Sequence, residues 1–311
     1  MNHKCAVISI VGRPNVGKST LLNYLAKNKL SAVSPKPQTT RTSIRGIITE
    51  GDVQLVFIDS PGFQTKNTLL ERKMRRVIVN TIIEADFTLM ITQMGGSVLR
   101  SIEETGKLSS IDSLEQSLIE EIISNGKKID LLVINKIDKI KKREVLLPLM
   151  EWFFKNYGVE RIFPISALTG EGVKELFYEI VKISPSREFL YDPEQISDKP
   201  EKFFVSEFIR ETIFSLTHLE VPYASSVIIK SWEEKENLIV IEGQIIVERE
   251  GQKGILIGKD GKMIKKIGIY SRKKIEKFLG KHVFLGLKVL VMERWRENMR
   301  LIENLIHGEP K

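Results

Sequence analysis

The chain has 311 residues, 42% of them hydrophobic and 28% charged, with a formal net charge of +8. That length allows two domains, and that balance describes a globular protein with a buried core, not a disordered one. No apolar run approaches the roughly 18 to 20 residues of a membrane span, and a single cysteine, Cys5, excludes an internal disulfide and suits a reducing cytoplasm.

Met1-Asn2-His3-Lys4 leads directly into an apolar run, Cys5 to Val11, with no signal peptide visible. The run reads as a strand, and Gly12-Arg13-Pro14-Asn15-Val16-Gly17-Lys18-Ser19 follows it. Thr20 to Leu25 then reads as a helix. A strand, a glycine-flanked loop and a lysine-hydroxyl pair at a helix start suit a polyphosphate. Loop N–H groups turn inward around the anion, and the helix N-terminus adds partial positive charge. Lys18 would reach the outer phosphates, and Ser19 would offer its hydroxyl to Mg²⁺.

Ser31 to Arg41 carries two prolines and reads as a loop. A threonine there can close over the terminal phosphate and complete the metal shell; Thr40 is the first choice and Thr39 the competitor. Val53 to Ile58 forms an apolar strand ending in Asp59-Ser60-Pro61-Gly62. Asp59 can hold Mg²⁺ through a water, and Gly62 can present its N–H to the terminal phosphate.

After the strand near Phe87, the stretch from Gly95 to Asn125 is long and polar, and is expected to be a surface insertion. Another buried strand, Leu131 to Ile134, ends in Asn135-Lys136-Ile137-Asp138. A carboxylate accepts two hydrogen bonds from guanine N1–H and its exocyclic amine, a pair that adenine does not offer. Asp138 therefore selects guanine, Asn135 braces the site, and the Lys136 stem covers the ring face. Ser166-Ala167-Leu168, after the strand at Ile162, supplies a backbone contact to the base.

The order of these elements resembles a translation-factor-class GTPase of the P-loop family over residues 5–182. The implied fold is an α/β domain, a mostly parallel sheet with helices on both faces. The implied ligands are GTP or GDP, with Gly12, Asn15, Val16, Gly17, Lys18, Ser19 and Thr20 on the phosphates and Ser19, Thr40 and Asp59 on Mg²⁺. Position 63 is Phe, not the glutamine that positions water in many small GTPases, so unaided hydrolysis is expected to be slow. Asn15 resembles the asparagine that helps bind K⁺ in related GTPases with an apolar residue at this place; the other reading is that it only supports the loop.

A helix ends near Ile183, and a proline-bearing stretch then reads as a linker. The expected boundaries are a nucleotide domain at 1–184, a linker at 185–200 and a second domain at 201–311. The second domain reads as a helix from Phe203, strands near 225–229 and 238–247, a helix around Gln252 to Leu256, a long basic helix from Lys262 and a strand over 283–292. A short helix is expected to close the chain.

From Gly251 to Arg300 there are 14 lysines and arginines against 4 acidic residues, so this one segment exceeds the net charge of the whole chain. Within it, Gly258-Lys259-Asp260-Gly261 sits between two helices. Glycines at both ends let a nucleic-acid backbone approach closely, while Lys259, Lys262, Lys265 and Lys266 offset phosphate charge. The order α-β-β-α-α-β resembles a type II KH domain, a smaller α+β fold, over residues 201–292, and implies single-stranded RNA.

A GTPase domain followed by a KH domain, with Gln38-Thr39-Thr40-Arg41 and Val247 to Lys253, resembles the Era family over nearly the full chain. That resemblance implies binding to the 3′ end of small-subunit (16S) rRNA and to the pre-small ribosomal subunit, and a role in small-subunit assembly. It also implies GTP-dependent communication between the two halves, a monomer, and a cytoplasmic protein in peripheral contact with the inner membrane. Residues 301–311 depart from the usual family ending. Two other readings use the same motifs: an RNA chaperone with a vestigial nucleotide site, and a membrane-associated signalling GTPase whose basic module meets anionic lipid.

Overall fold

The structure is a computed structural model, and it describes residues 3–33, 40–65, 68–108, 110–298 and 302. These divide into two compact units. The first runs up to Leu30 and from Ser43 to Asp198; the second takes the described residues of Ser31–Thr42 and the chain from Lys199 on.

In the first unit β1 (Lys4–Val11) leads through the phosphate loop into α1 (Lys18–Leu25). An antiparallel pair follows, β2 (Ile44–Glu50) and β3 (Val53–Asp59). Then come α2 (Leu69–Glu84), β4 (Phe87–Gln93), α3 (Gly96–Thr105) and α4 (Ser113–Ser124). The unit continues with β5 (Leu131–Asn135), α5 (Leu146–Tyr157), β6 (Ile162–Pro164) and α6 (Val173–Ile183). The sheet runs β2-β3-β1-β4-β5-β6, parallel except for β2. Apart from Lys4, every residue of β1 is buried, as expected of a parallel strand covered on both faces.

Register decides where the chemistry emerges. Ile10 pairs with Asp59, and Gln93 with Asn135, so the ends of β1, β3, β4 and β5 leave the sheet at one edge. In an open α/β sheet that carboxyl edge is the ligand side.

The polar stretch after β4 is not the surface insertion its composition suggests. Its second half is α4, started by the Asp112 carboxylate accepting the Leu114 N–H at 2.9 Å. Leu118, Ile119 and Ile122 of α4 are fully buried with Ile78, Ile82 and Phe153. A fully buried leucine or isoleucine contributes about 1.5–3 kcal/mol, so α4 is part of the core.

The proline-bearing stretch read as a linker at 185–200 also differs. Up to Asp198 it belongs to the first unit. The buried side chain of Gln54 accepts from the N–H groups of Leu190 and Tyr191 at 2.8 and 3.0 Å and donates to the Tyr191 carbonyl at 2.9 Å. Ser197 bridges to Gly46, which shields the edge of β2. Prolines here signal an irregular path, not a free one.

The second unit runs α7 (Glu201–Leu216), α8 (Val221–Ala224), β7 (Ser226–Glu234) and β8 (Leu238–Val247). It continues through α9 (Glu250–Ile257) and α10 (Lys262–Leu279) to β9 (His282–Val291). The antiparallel β7–β8 pair needs only a short turn, whereas β9 is parallel to β8 and requires the α9–α10 crossover. The Phe278 ring of α10 lies 5.3 Å from both Phe204 and Phe208 of α7, joining the helices over the sheet. Beyond β9, where a closing helix is expected, the described residues hold a 3-10 turn at Trp295–Glu297 and the helical Ile302, whose N–H donates to the Asn298 carbonyl at 3.0 Å; 299–301 and 303–311 lie outside them.

Candidate functional site

The phosphate loop is held from behind by the guanine motif. Asn135, buried at the end of β5, donates to the Val16 carbonyl at 2.7 Å and accepts the Ala167 N–H at 2.8 Å. Lys136, in left-handed backbone conformation, reaches the Asn15 carbonyl. Gly17 is required twice over. Its φ is 109°, and a Cβ there would stand 2.1 Å from the Asn135 amide nitrogen.

Lys18 donates to the carbonyls of Gly12 and Arg13 at 3.1 and 3.0 Å. Burial pushes its pKa down to about 8, opposed by nearby Asp59. The Ser19 hydroxyl donates to Asp59 at 2.6 Å. A hydroxyl and a carboxylate held together are hard oxygen donors, the set that suits Mg²⁺. Thr20 follows in the first turn of α1, while Val16 is buried and Asn15 exposed.

Gly62 packs against Pro14; a Cβ would lie 2.8 Å from the Pro14 Cα. The next residue, Phe63, donates its N–H to the Gly12 carbonyl at 3.1 Å and points its ring into the core. At the base end, the Ser166 hydroxyl donates to Asp138 at 2.7 Å, aiming the carboxylate, and Leu168 is exposed. Burial lowers the Lys136 pKa, with Lys139 adding to it and Asp138 opposing.

The structure thus brings Gly12 to Thr20, Asp59, Gly62, Asn135 to Asp138 and Ser166 to Leu168 to one edge of the sheet. Thr40 is buried in the stretch grouped with the second unit, and Thr39 lies outside the described residues.

In the second unit, Gly258 and Gly261 both have φ near +70°. A Cβ on Gly258 would lie 2.7 Å from that of Met263, so the turn before α10 tolerates no side chain there. Lys259, Asp260, Lys262, Lys265 and Lys266 are exposed, and Lys266 stands over the Tyr270 ring at 5.9 Å.

Beside the turn lies a groove of about 320 Å³ between Ile264, Gly268, Ile269 and Arg272 of α10 and Phe284 and Leu287 of β9. These groove residues escape a reading based on the glycine turn alone. The signal that finds them is the i, i+4 spacing of Ile264, Gly268 and Arg272, where a glycine opens the helix face. Arg41 also escapes, because its partners are backbone carbonyls. It donates to Tyr223 and Ser225 at 2.8 Å each, and its guanidinium stands 5.7 Å over the Trp295 ring.

Residues 7–136 match a family profile described as a 50S ribosome-binding GTPase, and residues 220–296 match a KH domain profile. A GTPase Era from Trichlorobacter lovleyi is 40% identical over 304 residues, covering 97% of each chain. One from Syntrophus aciditrophicus is 40% identical, covering 98% of this chain and 96% of its own. A crystal structure of Era in complex with MgGDPNP and nucleotides 1506–1542 of 16S ribosomal RNA superposes with TM-score 0.89 at 34% identity, covering 98% of each chain. An Aquifex aeolicus Era variant bound to GDP and AlF₄⁻ superposes with TM-score 0.88 at 34% identity, covering 97% of this chain and 98% of that one. With its nucleotide motifs on the ligand edge of a GTPase sheet in the first unit and a KH fold in the second, the chain belongs to the GTPase Era family.

Proposed function

We propose that this GTPase binds 16S rRNA near its 3′ end and assists assembly of the small ribosomal subunit, with GTP as the timing signal. The observation that carries the reading is a turn with glycine at both ends, opening a basic helix beside an apolar groove, in the same chain as a site whose Asp138 carboxylate is aimed by Ser166. Unstacked bases suit such a groove, and lysines at its mouth suit the backbone. Support also comes from the Era structure that contains nucleotides 1506–1542 of 16S ribosomal RNA. In this reading the protein works as a cytoplasmic monomer with a peripheral inner-membrane contact.

Lys18 leaves the Gly12 and Arg13 carbonyls for the stronger acceptors of a triphosphate. Ser19, Asp59 and Thr40 would hold Mg²⁺, which would neutralise charge on the phosphates. Gly62 presents its N–H to the terminal phosphate, and Asp138, aimed by Ser166, pairs with guanine. Phe63 faces the core, so it offers the attacking water no acceptor and the unaided rate is low. Asn15 would help hold K⁺, a cation that would supply the positive charge an arginine finger supplies elsewhere. Hydrolysis removes the γ-phosphate contacts and releases the RNA-competent arrangement.

Two measurements test this reading. Crosslinking in cells should recover RNA from the 3′ end of 16S rRNA, and recovery of unrelated RNA would overturn the assignment. Hydrolysis should be faster in K⁺ than in Na⁺; equal rates, with and without rRNA, would remove Asn15 from the mechanism.

A further inference from the structure

We propose that Arg13 is a positioning residue for the nucleotide reaction, held by a carboxylate clasp at the start of α4. The main-chain carbonyl of Arg13 is one of the two acceptors that hold Lys18. Its side chain runs the other way, out of the phosphate loop. There Nη1 pairs with Asp112 at 2.8 Å and Nε with Glu115 at 3.0 Å. Asp112 is the N-cap of α4, and Glu115 lies in its first turn. Glu115 also accepts the hydroxyl of buried Thr92 at the end of β4. One guanidinium therefore joins the loop after β1 to the start of α4.

Glu115 is only 3% exposed. Removing a carboxylate from water is costly unless a cation stays beside it. Burial raises its pKa, and the Arg13 guanidinium is the strongest influence opposing that rise, with the Thr92 hydroxyl helping. The reciprocal effect falls on the loop. A planar guanidinium fixed between two carboxylates has one orientation, and its backbone is constrained with it. The residues on either side of Arg13 are contact points for the hydrolysis segment. The Gly12 carbonyl accepts the Phe63 N–H, and Pro14 packs on Gly62. A shift at Arg13 therefore disturbs both the Lys18 station and the Gly62 N–H. This gives the polar stretch after β4 a task beyond packing.

The inference rests on the nucleotide-site reading, and a double-mutant cycle separates the two. Dissociation of fluorescent N-methylanthraniloyl-GDP would be followed for the full-length wild type, Arg13→Gln, Glu115→Gln and the double variant, with thermal unfolding of each. Each single change should speed release about ten-fold, and the double change should be no faster than either, because the pair acts as one unit. Arg13→Lys keeps the charge but cannot span both carboxylates, and should recover only part of the wild-type rate. Multiplying effects, or wild-type release rates accompanied only by a lowered melting temperature, would overturn the clasp. If Glu115→Gln does not fold, the same cycle run with the more exposed Asp112→Asn decides the matter. A wild type that holds no labelled GDP would instead overturn the nucleotide site itself.

Discussion

The Asn135 side-chain amide donates to the carbonyl of Val16 at 2.7 Å, so the guanine motif and the phosphate loop share a structural strut. The same side chain accepts the Ala167 N–H at 2.8 Å. Both groups are buried, and neither has water as an alternative partner. Asn135→Ala should therefore weaken binding of every guanine nucleotide, by about ten- to a hundred-fold, without changing base preference. Asp138→Asn should do the opposite, moving preference from GTP toward xanthosine triphosphate. Competition titrations with both nucleotides would separate a strut from a selector. An Asn135 variant with altered base preference would refute the division of labour.

Those two residues were legible in the sequence because their partners are fixed by spacing along a strand end. Arg41 was not, since its guanidinium donates to main-chain carbonyls about 180 residues away that carry no signature. The path of residues 184–198 was hidden for a similar reason. Its bonds go to Gln54 and to the edge of β2, while its prolines speak only of local geometry. The core role of α4 could have been read from Leu114, Leu118 and Ile122, spaced four apart, but the polar residues between them dominate the composition. The Arg13 clasp was legible in neither way, because a motif identifies what a loop binds and not what holds the loop.

Arg41 offers the second test. It is buried, and its pKa is pushed down to about 9 by burial, with Arg210 and Arg296 adding to the shift and Glu207 opposing it. At neutral pH it stays charged and donates to three carbonyls, those of Pro222, Tyr223 and Ser225. Arg41→Ala leaves those oxygens without this donor and should destabilise the second unit by about 2–4 kcal/mol. Arg41 directly follows Thr40, so the same change should shrink the difference in RNA affinity between the GTP and GDP forms. Denaturant unfolding and RNA titrations in each nucleotide state would measure both. Lost stability with an intact GTP effect would confine Arg41 to packing.

Lys18 makes the phosphate site sensitive to pH. With a pKa of about 8, it is an ammonium below that value and a neutral amine above it. Binding a polyphosphate above pH 8 must bring a proton in, so GDP affinity should fall, by at most about ten-fold per pH unit. Below pH 8 the lysine contributes no slope. The stability effect has the opposite sense. Between about 8 and 10.5 the unfolded chain holds a proton that the folded chain has lost, so the penalty of burying this lysine shrinks as pH rises. Calorimetric titration with GDP from pH 7 to 9, repeated with Lys18→Ala, checks the assignment. A slope that survives the substitution belongs to another group.

The lysines around the glycine turn predict the salt dependence of RNA binding. Each phosphate neutralised on a single strand contributes about 0.7 to the slope of log affinity against log salt. Lys259→Ala, Lys262→Ala, Lys265→Ala and Lys266→Ala, made singly, should each lower that slope by about this amount and leave GDP affinity unchanged. Gly261→Asp acts differently. Space is open at this position, but its φ of +71° strains a side chain, and the substitution adds a carboxylate where phosphate must approach. Its loss of RNA affinity should exceed that of any single lysine and should persist at high salt. Gly258→Asp would also press on Met263 and disturb the turn itself, so the change at Gly261 is the cleaner probe. If the four lysine variants keep the wild-type slope while Gly261→Asp still abolishes binding, the RNA backbone enters along another face of α10.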